Sequence, residues 1–244
     1  MNDDKKKSKS NEIKMCYFNK KLKAPGQTIE YTEHQLSEYI KCRNSLEYFA
    51  ETYCSIVTID GGLTKLELWD FQRDILRSFQ SDQFVCINAS RQVGKSMIYA
   101  IFCCWYVIFH DYKKIAILAN KMATVKSILN EKIKICYENL PYWIQQSVTV
   151  YNISSFELEN HSIIAVYPTS PSSIRGLTCS VLICDEVAII NTKLWEEFSR
   201  SSFPVISSGR TSKIFLFSTP KGLHTPWYNI VKDAKLKKNK FKLS

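Results

Sequence analysis

Ala89-Ser90-Arg91-Gln92-Val93-Gly94-Lys95-Ser96 decides how the rest of this chain is read. Before it lies Phe84-Val85-Cys86-Ile87-Asn88, a short apolar run that reads as a buried strand. After it comes Met97 through Phe109, an apolar run too long for an ordinary strand, which reads as a buried helix. A loop ending in Gly-Lys-Ser at such a junction gathers backbone N–H groups and a helix N-terminus around an anion. Lys95 can then reach the β- and γ-phosphates of a nucleotide, and Ser96 can ligate Mg²⁺. Ser90, Arg91, Gln92, Val93 and Gly94 complete the candidate nucleotide-binding loop. Ala89 stands where such loops usually begin with Gly, and Arg91 projects from within the loop.

The second half of the site is expected at Val181-Leu182-Ile183-Cys184, an apolar strand that delivers Asp185 and Glu186 at its carboxyl end. Open parallel sheets bind ligands outside the carboxyl ends of their strands, which sets these acids beside Ser96. Divided roles follow from the chemistry: Asp185 holds Mg²⁺, and Glu186 orients and deprotonates the attacking water. Alone, the pair reads equally as a strand followed by an acidic turn. The phosphate loop upstream favours nucleotide hydrolysis.

The 244 residues allow one large domain, or a domain with an appendage, and 45% apolar content suffices for a core. No stretch has the roughly 20 apolar residues that a bilayer span needs, and no apolar segment follows the Lys-rich N-terminus as a signal peptide requires. Nine cysteines with no C-x-x-C pair read as free thiols of a reducing compartment, not as a disulfide framework or a zinc site. The net charge of +10 sits at the ends: residues 1–23 and 232–244 each contribute +5, and 24–231 is neutral. Such Lys runs read as solvated tails, the first of them disordered over 1–12, or as non-specific contacts to phosphate backbone.

Apolar spacing predicts a helical region from His34 to Tyr53, a turn at Asp60-Gly61-Gly62 and an amphipathic helix over Leu68–Leu76. Gln72 on that helix carries the donor and acceptor that the edge of adenine requires; it reads otherwise as a surface Gln. Lys114–Ala119 reads as a second parallel strand, followed by a helix capped by Asn120 and running to about Asn139. A hairpin is expected over Phe156–Val166, turning at Asn160-His161. Lys213–Phe217 reads as another buried strand that ends in Ser218-Thr219-Pro220, whose hydroxyls can meet a γ-phosphate or its attacking water. A plain strand end with a Pro stop is the alternative. Alternating strands and helices imply an α/β fold, a mostly parallel, doubly wound sheet.

Taken together, the helix with Phe71-Gln72, the Ser-Arg-Gln-Val-Gly-Lys-Ser loop, Ser172-Ser173-Ile174-Arg175-Gly176, the Asp185-Glu186 strand and Ser218-Thr219-Pro220-Lys221-Gly222 resemble the ATPase domain of the large terminase subunit, the DNA-packaging motor of tailed double-stranded DNA bacteriophages, closest to the T4-like type. The resemblance covers roughly Cys42 to Tyr228, and its most specific mark is the Arg inside the phosphate loop. It implies a P-loop NTPase of the RecA/ASCE type, with helices flanking a mostly parallel sheet and a helical N-terminal region. The implied boundaries are a basic tail to 23, a helical region over 24–62, the ATPase core over 63–228 and a basic segment over 229–244. It makes ATP the substrate and Mg²⁺ the cofactor. Gln72 becomes the adenine reader, Ser218-Thr219-Pro220 the coupling motif, Arg91 a phosphate-contacting or coupling residue, and Arg175 a candidate arginine finger for a neighbouring subunit. The implied partners are double-stranded DNA, the portal protein, the small terminase subunit and further copies in a ring on the procapsid, in the host cytoplasm and away from membranes. Large terminases also carry an RNase H-type nuclease domain; no second acidic cluster serves one here, so nuclease activity is not expected of this chain. Two other readings share the motifs: a superfamily 2 helicase or translocase, and a component that binds ATP without hydrolysing it.

Overall fold

Three central strands are apolar at nearly every position. Phe84–Asn88 (β5), Val181–Cys184 (β10) and Lys213–Ser218 (β11) bury all but the ends of β5, the signature of parallel strands covered on both faces. In the computed structural model, which describes residues 14–16, 18–58, 60–170 and 177–244, these strands lie side by side. They belong to an eight-stranded sheet of order Lys242–Leu243 (β12), β5, β11, β10, Lys114–Ala119 (β6), Ile163–Pro168 (β9), Ser155–Leu158 (β8) and Val148–Tyr151 (β7). Strands β12, β6 and β9 extend the parallel part. Strands β8 and β7 continue it antiparallel at one edge. The expected mostly parallel α/β sheet is thus present, and the hairpin turns where Asn160-His161 was expected to turn it, with His161 at φ 62°.

Alternation along each strand divides the core in two. Val85, Ile87, Ile117, Ile183, Phe215 and Phe217 face one side, where Lys95–Phe109 (α4) packs with every residue from Ile98 to Phe109 buried. Cys86, Leu118, Leu182, Cys184 and Leu216 face the other, covered in part by Trp195, Phe198 and Trp227 from two later helices. On the α4 side Phe79 stacks on Phe215 at 4.3 Å between ring centroids and meets Phe102 edge-on at 5.5 Å. Burying each such ring contributes about 1.5–3 kcal/mol, so this aromatic cluster is a main anchor of α4 and of the loop at its head. All nine cysteines are buried free thiols.

Several boundaries differ from the sequence expectation. The helical region before 54 is two helices, Glu33–Asn44 (α1) and Leu46–Tyr53 (α2), because Ser45 is extended and caps the second through the Tyr48 N–H. The helix expected over Leu68–Leu76 is Asp70–Ser81 (α3); Leu68 and Trp69 precede it, since Trp69 is the extended N-cap. The turn at Asp60-Gly61-Gly62 joins two strands, Ser55–Thr58 (β3) and Gly62–Lys65 (β4). Asn120 does not cap the following helix. Lys121 takes that place without a side-chain bond, and Met122–Ser127 (α5), a π turn at Ile128–Ile133 and Lys134–Glu138 (α6) follow. Part of the expected tail to residue 23 is built into the fold, where Met15–Cys16 (β1) pairs with Asn19–Lys23 (β2) and Leu22 is fully buried. The basic C-terminal segment likewise holds most of the helix Pro226–Lys235 and strand β12, which pairs with β5. Residues 1–12, and Ser172 through Gly176 with Arg175, lie outside the described residues.

Candidate functional site

The parallel strands end together. In register, Ser218 of β11 pairs with Asn88 of β5, and Cys184 of β10 pairs with Leu216 of β11, so three carboxyl ends and the loops that leave them converge. There they border a cleft of roughly 570 Å³ lined by Arg91, Gln92, Gly94, Lys95, Ser96, Lys132, Asp185, Glu186, Ser218 and Thr219, with Val57 at its side. Candidate residues from distant parts of the sequence therefore share one site. β11 is inserted between the loop-bearing strand and the acid-bearing strand, an order that no local pattern reveals.

The candidate phosphate loop turns sharply. Gln92 at φ 64° and Gly94 at φ 79° are both left-handed, and Gly94 is the N-cap of α4. The Lys95 ammonium donates to the Ala89 carbonyl at 3.0 Å and to the Ser90 carbonyl, which closes the loop on itself. Burial lowers the Lys95 pKa, opposed by attraction from Asp185 and Glu186; the Arg91 charge lowers it further. Val93 is held from outside: Gln72 Nε2 donates to its carbonyl at 3.1 Å, while Gln72 Oε1 accepts from the Trp69 N–H at 3.1 Å. Both ends of the Gln72 amide are thus spent within the chain, and the buried side chain clamps the loop to the start of α3.

A Cβ on Gly94 would lie 2.8 Å from Gln72 Nε2. Gly94→Ala therefore strains the left-handed φ and displaces the clamp, and is expected to destabilise the fold by about 1–3 kcal/mol. A thermal melt measures this; an unchanged midpoint would mean that the loop does not need the left-handed turn.

The two acids are employed differently. Asp185 is 9% exposed, and its carboxylate accepts from the Tyr99 hydroxyl at 2.8 Å and from the Glu186 N–H at 2.8 Å. Burial raises the Asp185 pKa, while those two hydrogen bonds and Lys95 oppose the rise. Tyr99 lies one turn along α4 from Lys95, so helical spacing alone shows that it shares the face of the helix that meets the acids. Glu186 takes the left-handed conformation, φ 56° and ψ 39°, which turns the chain out of β10 and is sparsely populated for a non-glycine residue.

Ser218 joins the two halves. Its carbonyl accepts from the Ala89 N–H at 3.3 Å at the start of the phosphate loop. Its hydroxyl accepts from the Ala188 N–H at 3.0 Å just beyond Glu186, and donates to the Thr219 carbonyl at 3.1 Å. The Ser218 hydroxyl is spent on backbone, and Thr219 is the half-buried hydroxyl on the cleft, with exposed Pro220 following.

Two features escape sequence reasoning. Lys132, from the π turn, reaches the cleft and donates from its ammonium to Ser96 Oγ; burial lowers its pKa, and Asp185 opposes this. The β3–β4 hairpin walls a second cavity of roughly 650 Å³ beside Gly94, lined by Ile56, Leu66, Trp69, Gln72, Val93 and Met97 among others. Neither has a local signal, since each depends on where a remote element packs.

Ser96 and Asp185 present hard oxygen donors to one cleft. That donor set suits Mg²⁺, which keeps several waters and takes phosphate oxygens where a protein supplies only one or two ligands. Among the described residues no group of three His, Cys, Asp or Glu side chains is placed to cage a metal. No described helix is long and apolar enough to cross a membrane.

Residues 86–239 match the family described as the terminase large subunit, T4likevirus-type, N-terminal. Solved structures share the fold. The large terminase of bacteriophage HK97 superposes with a TM-score of 0.65 over 81% of this chain and 42% of its own, at 14% identity. The large terminase of a thermophilic bacteriophage, in complex with ATP-gamma-S, gives 0.57 over 73% of this chain and 44% of its own, at 11% identity. The large terminase ATPase domain of a Thermus phage gives 0.51 over 66% of this chain and 68% of its own, at 23% identity. The chain spans less than half the length of the first two.

Proposed function

We propose, because this chain belongs to the T4likevirus-type large terminase family, that it hydrolyses Mg²⁺-bound ATP to move double-stranded DNA into a procapsid. One observation carries the reading: the phosphate loop, the acid pair and the Ser218-Thr219 strand end border a single cleft at the carboxyl ends of adjacent strands. The ADP and ATP-gamma-S complexes known for the thermophilic phage's large terminase agree with nucleotide binding here.

In this reading the loop N–H groups and Lys95 hold the phosphates, and the head of α4 adds its dipole. Ser96 and Asp185 would hold Mg²⁺, which neutralises charge on the phosphate oxygens when bound. Glu186 orients the attacking water and takes its proton. The second cavity, beside Gly94, suits the base and ribose, with Gln72 acting there through the loop it clamps. Arg91, which lines the same cleft, would contact the transferring phosphate in cis. Arg175 is assigned to a neighbouring subunit's nucleotide, which makes a ring of copies the active form, with portal protein and small terminase subunit as partners. Ser218 fits coupling, since any shift of the acid loop moves Ala188 and, through Ser218, the phosphate loop.

Steady-state ATP hydrolysis tests the proposal, measured with Mg²⁺ and with EDTA, with and without duplex DNA, over a range of protein concentration. Mg²⁺-dependent turnover per subunit that rises with concentration is expected. Bound ATP with no turnover under any condition would favour a nucleotide-binding component instead.

A further inference from the structure

Lys132 is a charged side chain of the cleft that the proposed chemistry leaves unused. It stands in the π turn Ile128–Ile133, where the Lys134 N–H reaches back to the Leu129 carbonyl. Such turns often mark functional positions in helices. Ile128, Leu129 and Ile133 are buried in the core that also holds α4, and Cys104 of α4 donates its thiol to the Ile133 carbonyl at 3.4 Å. The turn is therefore fixed against the helix whose first residues are Lys95 and Ser96. From there the Lys132 ammonium donates to Ser96 Oγ, on the same cleft as Asp185.

Ser96 Oγ thus has a cationic partner on the atom that the proposed function gives to the metal. A monocation and a divalent cation on one hydroxyl oxygen repel strongly at hydrogen-bonding range, above all where water is partly excluded. The two are alternatives at that oxygen. We propose that Lys132 is a positioning residue for Ser96 that competes with Mg²⁺ for its hydroxyl, so that the metal must displace the ammonium and the lysine sets how much Mg²⁺ the site requires. The inference rests on Ser96 being a metal ligand, and its test separates the two claims.

Binding of a fluorescent ATP analogue is titrated with Mg²⁺ at equilibrium, so hydrolysis is not the readout. Lys132→Met keeps the stem and removes the charge. It is expected to lower the Mg²⁺ concentration for half-maximal binding by about fivefold to tenfold, the scale of one charge-assisted hydrogen bond. Lys132→Gln should shift it the same way, and serves alone if the Met variant does not fold by circular dichroism. Ser96→Ala is the control and should raise the Mg²⁺ requirement. An unchanged or higher requirement in the Lys132 variants, with the Ser96→Ala effect intact, overturns the competition and leaves the metal site standing. No effect of Ser96→Ala removes the metal-ligand reading and the competition with it. A lysine that only supports the π turn would alter the melting temperature and leave the Mg²⁺ titration where it is.

Discussion

Glu186→Gln is expected to lower ATP turnover by about 10²–10⁴-fold, the range for removal of a positioned general base. The substitution preserves shape and removes only the ability to take a proton. Binding should survive, because the acid that would hold the metal is the other member of the pair. Asp185 is tied by the Tyr99 hydroxyl and by the Glu186 N–H, contacts that hold it in place. Glu186 stands on a left-handed residue just past the end of β10, a conformation costing of order 1–3 kcal/mol for a non-glycine side chain. Just beyond the turn the Ala188 N–H donates to the Ser218 hydroxyl at 3.0 Å, which ties the acid loop to the end of β11. Initial rates at saturating Mg-ATP, paired with equilibrium binding of an ATP analogue, make the measurement. Turnover close to wild type would move the base elsewhere in the cleft; loss of binding along with turnover would give Glu186 a structural part.

Lys95→Met should cost about 10²–10³-fold in kcat, as when one preorganised donor to a developing negative charge is removed. It should also weaken nucleotide binding, unlike Glu186→Gln. Lys95 closes the loop through the Ala89 and Ser90 carbonyls, so its loss loosens the N–H cradle as well as deleting a charge. Asp185 and Glu186 both act to keep that ammonium charged where burial opposes it, and all three residues line one cleft. Rates and binding measured together on a folded variant decide the matter. Retained turnover would be incompatible with phosphate held by Lys95.

Much of the site is legible in the sequence. The loop from Ala89 to Ser96 is readable because its chemistry sits in consecutive residues, where a left-handed Gly94 turns the backbone and Lys95 and Ser96 open the helix. Asp185 and Glu186 are legible as the end of an apolar strand, and β5, β6, β10 and β11 lie where apolar runs predict them. Gln72 stands out for its amide, but its partners do not. Both ends of that amide meet backbone, one on Trp69 and one on Val93, and the second contact crosses from α3 to a loop that follows a different strand.

The class of fold follows from sequence alone, and so do the candidate phosphate loop and candidate acids, because strand and helix periodicity and the geometry of a tight Gly-Lys-Ser turn are local properties. Strand order does not follow from it; packing sets that. Nothing in Lys213–Ser218 announces that β11 inserts between β5 and β10, yet that insertion lets Ser218 bond both the phosphate loop and the acid loop. The same holds for Lys132. A lysine in a helix carries no sign of its target, and a π turn packed against α4 is what brings its ammonium to Ser96. Burial of apolar faces selects these arrangements, and that selection acts between residues far apart in the chain, where local pattern is silent.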